Sequence, residues 1–153
     1  MRYARHRFWP AMAVAVIVAM TSLAAQADET PIAQIKTATG PAFVVRGGSK
    51  IPAAPGAALY VKDVLQTDAG GTIGLTFSDN SVLSVGPSSV VALAEYNFDS
   101  SNFTGSMETD IHSGTLSMVS GDIARSSPSA MKVRTPTAIL GVRGTSFAVE
   151  VGH

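Results

Sequence analysis

The 153 residues contain no cysteine and carry eleven basic against eleven acidic side chains. Neither a disulfide framework nor acylation at a lipoprotein cysteine is open to such a chain, so its order must come from burial. Three of the basic residues, Arg2, Arg5 and Arg7, stand at the start while every acidic residue lies at or beyond Asp28; the remainder is mildly acidic and has no basic run, which excludes nucleic acid as a partner and a polybasic membrane patch.

After the three arginines an uncharged stretch runs from Phe8 to Gln26, dominated by Ala, Val, Ile, Met and Leu between Ala11 and Ala25. It ends in Ala25-Gln26-Ala27, and Asp28-Glu29 opens a polar segment. This is the layout of a secretory signal helix, residues 1–27, cleaved after Ala27. The apolar core is shorter than the roughly 20 residues of a membrane span and is interrupted by Thr21 and Ser22. Nothing after Ala27 has the length to cross a bilayer, so the expected destination is the periplasm or the exterior.

Residues 28–39 are polar with isolated apolar positions and read as an exposed lead-in. From Gly40 the pattern changes to short β-type clusters. Ala42–Arg46 is a strand closed by Gly47-Gly48, and Pro52, Pro55 and Gly56 break any helix. Leu59-Tyr60-Val61 and Val64-Leu65 are strand pieces around a bend at Lys62-Asp63. Ile73, Leu75 and Phe77 alternate with small or polar residues and face Ser81–Val85 across Ser78-Asp79-Asn80, a turn of residues that tolerate left-handed backbone. Val90–Leu93 continues toward Tyr96 and Phe98, and 99–105 is a polar loop. Met107, Thr109 and Ile111, then Leu116 and Met118, predict a second hairpin around Ser113-Gly114. Past the turn at Gly121-Asp122 and the loop Ser126–Ser129, the apolar residues Met131, Val133, Ile139, Leu140, Phe147, Val149 and Val151 complete the pattern. Many short strands with Gly, Pro, Asn and Ser between them predict one all-β domain over 40–151, built of antiparallel strands as a sandwich, barrel or rolled sheet.

Catalytic and metal chemistry find little purchase. Asp110, His112 and Ser113 are triad residue types, but strand alternation puts the first two on one face and Ser113 on the other. The histidines are His6, His112 and His153, which cannot assemble a zinc cluster. The acids Asp79, Asp99, Asp110 and Asp122 miss calcium-loop spacing. Gly70-Gly71 and Gly141-x-x-Gly144 lack the Lys-Ser/Thr of a phosphate loop. No cofactor, no metal and no enzymatic activity are expected. Tyr60, Tyr96, Phe98 and Phe103 read as packing residues before they read as a binding strip.

The most distinctive stretch is Val133-Arg134-Thr135-Pro136-Thr137-Ala138-Ile139-Leu140-Gly141-Val142-Arg143-Gly144-Thr145-Ser146-Phe147. It resembles the closing signature of the FecR domain family, a Thr-Pro-x-Ala step followed by Gly-Val/Ile-Arg-Gly-Thr-x-Phe. Asp63, Thr67, the alternating run to Phe77 and Ser81-Val82-Leu83 resemble the family's opening segment. The family usually has Gly where this chain has Lys62, and Gly in an Asp-Gly-Ser turn where it has Asn80. Family members usually continue into more strand past the Arg-Gly-Thr segment, so an exposed sheet edge is expected.

The resemblance implies a sandwich or solenoid-like β fold facing the periplasm, with Asp63, Thr135, Pro136, Gly141, Arg143, Gly144, Thr145 and Phe147 as structural motif residues. It also implies a protein partner in the cell envelope. The best-known relatives relay a receptor's state to a sigma factor through a transmembrane helix. With only seven residues before its apolar leader, this chain is expected to act as a non-catalytic binding or accessory module. The alternative is a relay subunit working with a separately encoded membrane regulator of a sigma factor. Arg143, flanked by Ile139, Leu140, Val142 and Phe147, is expected to reach a carboxylate, Asp63 first and Asp79 second, because long cations are seldom buried unpaired.

Overall fold

Alternation of apolar and small or polar residues is converted into strand almost throughout. The computed structural model describes residues 29–144 and 146–152; the leader 1–27 lies outside them. The strands are β1 Ala33–Thr39, β2 Ala42–Arg46, β3 Ser49–Pro52, β4 Ala58–Leu59, β5 Val64–Thr67, β6 Thr72–Phe77, β7 Val82–Val85, β8 Val90–Asp99, β9 Thr104–Val119, β10 Met131–Arg134, β11 Ile139–Gly141 and β12 Ser146–Val151, with one short helix, α1, at Asp122–Ser126. They form a single all-β domain, a sheet curled into a half-barrel in the order β3-β2-β5-β8-β9-β7-β6-β1-β4.

Strand β9 holds the two halves together. Its first part pairs with β8 and, in parallel, with β10; its last part pairs antiparallel with β7 and β12. The expected hairpin at Ser113-Gly114 is therefore corrected: the chain does not reverse there but continues as one strand that changes partners. Gly114 has φ 86°, and a Cβ on it would lie 2.0 Å from Ser89 Oγ, so the residue gives a close approach of β8 and a kink instead of a turn. The parallel β9–β10 pairing follows from α1, which carries the chain back across one end.

A second correction concerns residues 28–39. Ala33–Thr39 is not a lead-in but a full strand between β6 and β4, with Ala33 and Ile35 buried. Its outward residues Gln34, Lys36 and Thr37 are polar, which diluted the apolar signal.

The inward positions of both halves meet in one core. Ile35, Leu75, Leu83 and Leu116 come from one half, Leu65, Val91, Ile111 and Val133 from the other, and Ile123 of α1 closes the end. Each such side chain contributes about 1.5–3 kcal/mol on burial. The hairpin over Ser78-Asp79-Asn80 forms as its sequence predicts, with Leu75 opposite Leu83. Asn80 takes φ 65° and Lys62 φ 73°, the two positions at which the sequence carries a side chain instead of the resembled family's glycine.

Candidate functional site

Two buried carboxylates organise the turns. Asp63 is 1% exposed and accepts a forked pair from Arg46, Nε to Oδ1 at 2.8 Å and Nη2 to Oδ2 at 2.7 Å. It also accepts the Tyr60 backbone N–H at 2.9 Å. Arg46 donates further to the Ala58 carbonyl at 3.1 Å and lies over the Tyr60 ring, 4.6 Å from its centroid. Its guanidinium is held above its ordinary pKa, first by the hydrogen bond to Asp63. The sequence carried a signal for this pair that was missed: Ala42, Val44 and Arg46 share one parity on β2, so a cation stands where the strand turns its apolar side inward.

Asp79 is fully buried and, among the described residues, pairs with no cation. Its Oδ1 accepts the Ser81 N–H at 3.1 Å and the Tyr96 hydroxyl at 3.3 Å; its Oδ2 accepts Ser81 Oγ at 2.8 Å and the Ile123 N–H at 3.3 Å. The Tyr96 oxygen in turn accepts the Asp79 N–H at 2.9 Å. Burial, and then the neighbouring charge of Asp79, push the Tyr96 phenol far above its usual pKa. Tyr96 stacks on Phe77 with centroids 5.3 Å apart. This network ties the β6–β7 turn to β8 and to the start of α1.

The closing signature lies elsewhere and is organised differently. Thr135 caps the β10–β11 turn: its Oγ1 accepts the Ala138 N–H at 3.0 Å, and its own N–H reaches the Ala138 carbonyl at 2.8 Å. Pro136 and Gly141 are exposed on this arm, and Gly144 just beyond it. Ile139 is 60% and Leu140 41% exposed. Val142 is buried and donates to the Met131 carbonyl at 3.0 Å, which pins the end of the arm. Phe147, on β12, is half-buried against the core. Thr145 lies outside the described residues.

The expected contact of Arg143 with Asp63 or Asp79 is not made. Arg143 is exposed, and the two acids are satisfied by Arg46 and by neighbouring N–H and O–H donors respectively. The physical reason is local: Val142 takes the inward position, so its neighbour points out. Ile139 and Leu140, taken in the sequence as apolar surroundings for a buried cation, are themselves exposed.

At its base the arm is fixed by Arg134 Nη2, which donates to Glu108 Oε1 at 2.6 Å. Arg134 Nε lies 3.6 Å from Asp110 Oδ1, close enough for attraction although that oxygen has no hydrogen bond. Asp110 thus faces an arginine, and His112 is exposed at a β-bulge with no hydrogen bond to Asp110 or Ser113. Among the described residues no cluster of three or more metal-ligating side chains occurs, and no helix is long and apolar enough to cross a membrane. Together the arm presents an exposed apolar pair, the edge of β11, which among the described residues pairs with β10 alone, and the Arg143 cation.

The family described as FecR protein matches this chain over residues 63–153, more than half its length. No curated protein and no solved structure matches it.

Proposed function

Because the chain belongs to the FecR family, an envelope-associated signalling and regulatory family, we propose that it is an exported periplasmic binding module without a catalytic role, and that the β10–β11 arm is its contact surface for an envelope protein. One observation carries this reading: of the residues that distinguish the sequence most strongly, Thr135 to Gly144, only Val142 is spent on the core. Apolar Ile139 and Leu140 face solvent on a strand with an open edge, and Arg143 stands beside them. Such an edge suits addition of a partner strand, with backbone bonds for affinity and side-chain contacts for register. The partner chemistry that fits is an extended segment with apolar residues and a carboxylate for Arg143. On this reading Thr135 and Pro136 shape the arm, Gly141 and Gly144 keep it open to approach, and Asp63, Thr145 and Phe147 belong to the scaffold.

Export rests on residues 1–27, and the intact mass of the periplasmic product should begin at Asp28. A photo-crosslinking residue at position 139 or 140, introduced into the exported chain, should give one dominant protein adduct that disappears with Arg143→Glu. A membrane regulator in that adduct selects the relay-subunit form of the proposal; a soluble partner or receptor selects the accessory form. Adducts from other surfaces with none from the arm would reject the assignment.

A further inference from the structure

Backbone bonding within the arm decides which residues of β11 face its outer edge. The Thr135 N–H bonds the Ala138 carbonyl at 2.8 Å, and the Val142 N–H bonds the Met131 carbonyl at 3.0 Å. Alternate residues of an antiparallel pair bond toward the partner strand, so Ala138, Leu140 and Val142 are turned to β10. Ile139 and Gly141 therefore hold their N–H and C=O groups toward the other side. The same two residues stand on the outward face of the sheet, opposite Arg134 and Lys132 respectively.

Charge on that face is sorted by strand. Carboxylates stand on β8 and β9, as Glu95, Glu108 and Asp110, and cations on β10, as Lys132 and Arg134. Arg134 is taken up by Glu108 at 2.6 Å and by Asp110 at 3.6 Å. Lys132 is exposed and, among the described residues, belongs to no ion pair. Beside it β11 carries only Gly141. That glycine is demanded neither by its backbone, whose φ is not positive, nor by a close neighbour, since a Cβ there would meet nothing within 4 Å. Its missing side chain leaves Lys132 an open path across β11 to a strand lying beyond.

We propose that Lys132 is a specificity-determining residue of the arm, and that the partner is an acidic strand, added antiparallel to β11, whose carboxylate opposite Gly141 meets the Lys132 ammonium above the glycine. The inference rests on the reading of the arm as a contact surface and adds the register and charge of what it holds. The added strand lies two strand spacings, about 9.6 Å, from β10. A four-carbon lysine stem and a glutamate close that gap together only where the strand between them carries no side chain. Antiparallel addition bonds Ile139 to one partner residue and Gly141 to the residue two places earlier. Read from its N-terminus, the segment is an acid, any residue, then an apolar residue packed against Ile139. A second copy of this chain does not supply it: the other edge strands, β3, β4 and β12, have no such spacing, and Glu150 is followed two places on by Gly152.

The probes are three short capped peptides, Val-Thr-Thr-Glu-Thr-Ile-Thr-Val and its counterparts with Gln or Lys in place of Glu, titrated into the isotope-labelled exported protein up to about 1 mM, the range of weak affinities. The Ile139 and Gly141 amide signals should shift, with affinity falling in the order Glu, Gln, Lys. Lys132→Glu should reverse that order, weakening the Glu peptide about tenfold, and Lys132→Arg should keep it. Because Lys132→Glu sets an acid beside Glu108, Lys132→Gln serves as a second variant and should abolish the preference without reversing it. Gly141→Leu, which nothing in the fold obstructs, should bind the Glu and Gln peptides alike. Should no peptide bind in that range, the cellular adduct from position 139 decides: it should be lost in Lys132→Glu and persist in Lys132→Arg. Equal affinity for the three peptides, or an order or adduct indifferent to Lys132→Glu, would overturn this inference and leave the arm standing as a contact surface. Absence of any adduct from the arm would remove both.

Discussion

The opening and closing segments of this domain use arginine in opposite ways. On β2, Arg46 is half-exposed yet committed: its fork closes on Asp63, which is 1% exposed, and its plane lies over Tyr60. Past β11, Arg143 is exposed and stands apart from both buried acids. The opening segment closes its polar groups on one another and so fixes the turns; the closing arm is fixed only at its base, by Arg134 and Val142, and leaves its tip to solvent. Shape comes from the first, and the second is the surface on which contact is proposed.

The sharpest way to break that contrast is at the opening knots. Asp79→Ala should cost the most, about 3–4 kcal/mol, because it strands the Ser81 amide and hydroxyl, the Ile123 amide and the Tyr96 hydroxyl in a site closed to water; urea unfolding measures it. Arg46→Ala should cost about 2–3 kcal/mol. It leaves the Asp63 carboxylate with the Tyr60 amide alone, but the arginine side chain is 40% exposed, so water replaces part of the pair and the value stays below that of a fully buried bridge. Arg46→Lys should recover only part of the loss, since an ammonium cannot match the fork. If both variants unfold like the parent, the opening segment is not the knot described.

Sequence reasoning reached the all-β class and the β6–β7 hairpin because Ile73, Leu75 and Phe77 announce both period and turn. It missed β1, whose outward residues dilute the pattern, and it read a turn at Gly114, because a glycine that kinks a strand and a glycine that reverses one look alike in a single sequence. The knots were half legible. An Asp-x-Ser turn at Asp79–Ser81 is a local signal, but the bond from Tyr96 crosses 17 residues, and nothing local names it. Arg143 was misassigned for a similar reason: flanking apolar residues suggested burial, and only the fold shows that Ile139 and Leu140 face water.

Lys62 offers a smaller and opposite effect. At φ 73° its side chain costs roughly 1–2 kcal/mol relative to glycine, and glycine loses roughly 0.5–1 kcal/mol more backbone entropy on folding. Lys62→Gly should therefore raise stability by about 0.5 kcal/mol, seen as a shifted urea midpoint at constant slope. Asn80→Gly should come out near zero: asparagine tolerates that backbone, and the change forfeits the 3.0 Å bond from Asn80 to Asp122. A loss on Lys62→Gly would mean that its side chain supports the bend before Asp63.

Arg143→Ala should move stability least, by less than about 0.5 kcal/mol, as expected of a surface side chain with no buried partner. Its value lies in being compared with Arg46→Ala under the same conditions. The two replacements delete the same group from strand-associated positions, so the unfolded chains differ little and the difference reports the folded environments. A gap of about 2 kcal/mol supports one committed and one available arginine. Equal and large losses would instead place Arg143 in a buried pair after all, close the arm, and remove the surface on which partner binding is proposed. With stability unchanged, loss of the crosslinked adduct in Arg143→Ala would assign the residue to contact alone, since the scaffold that carries it would be intact.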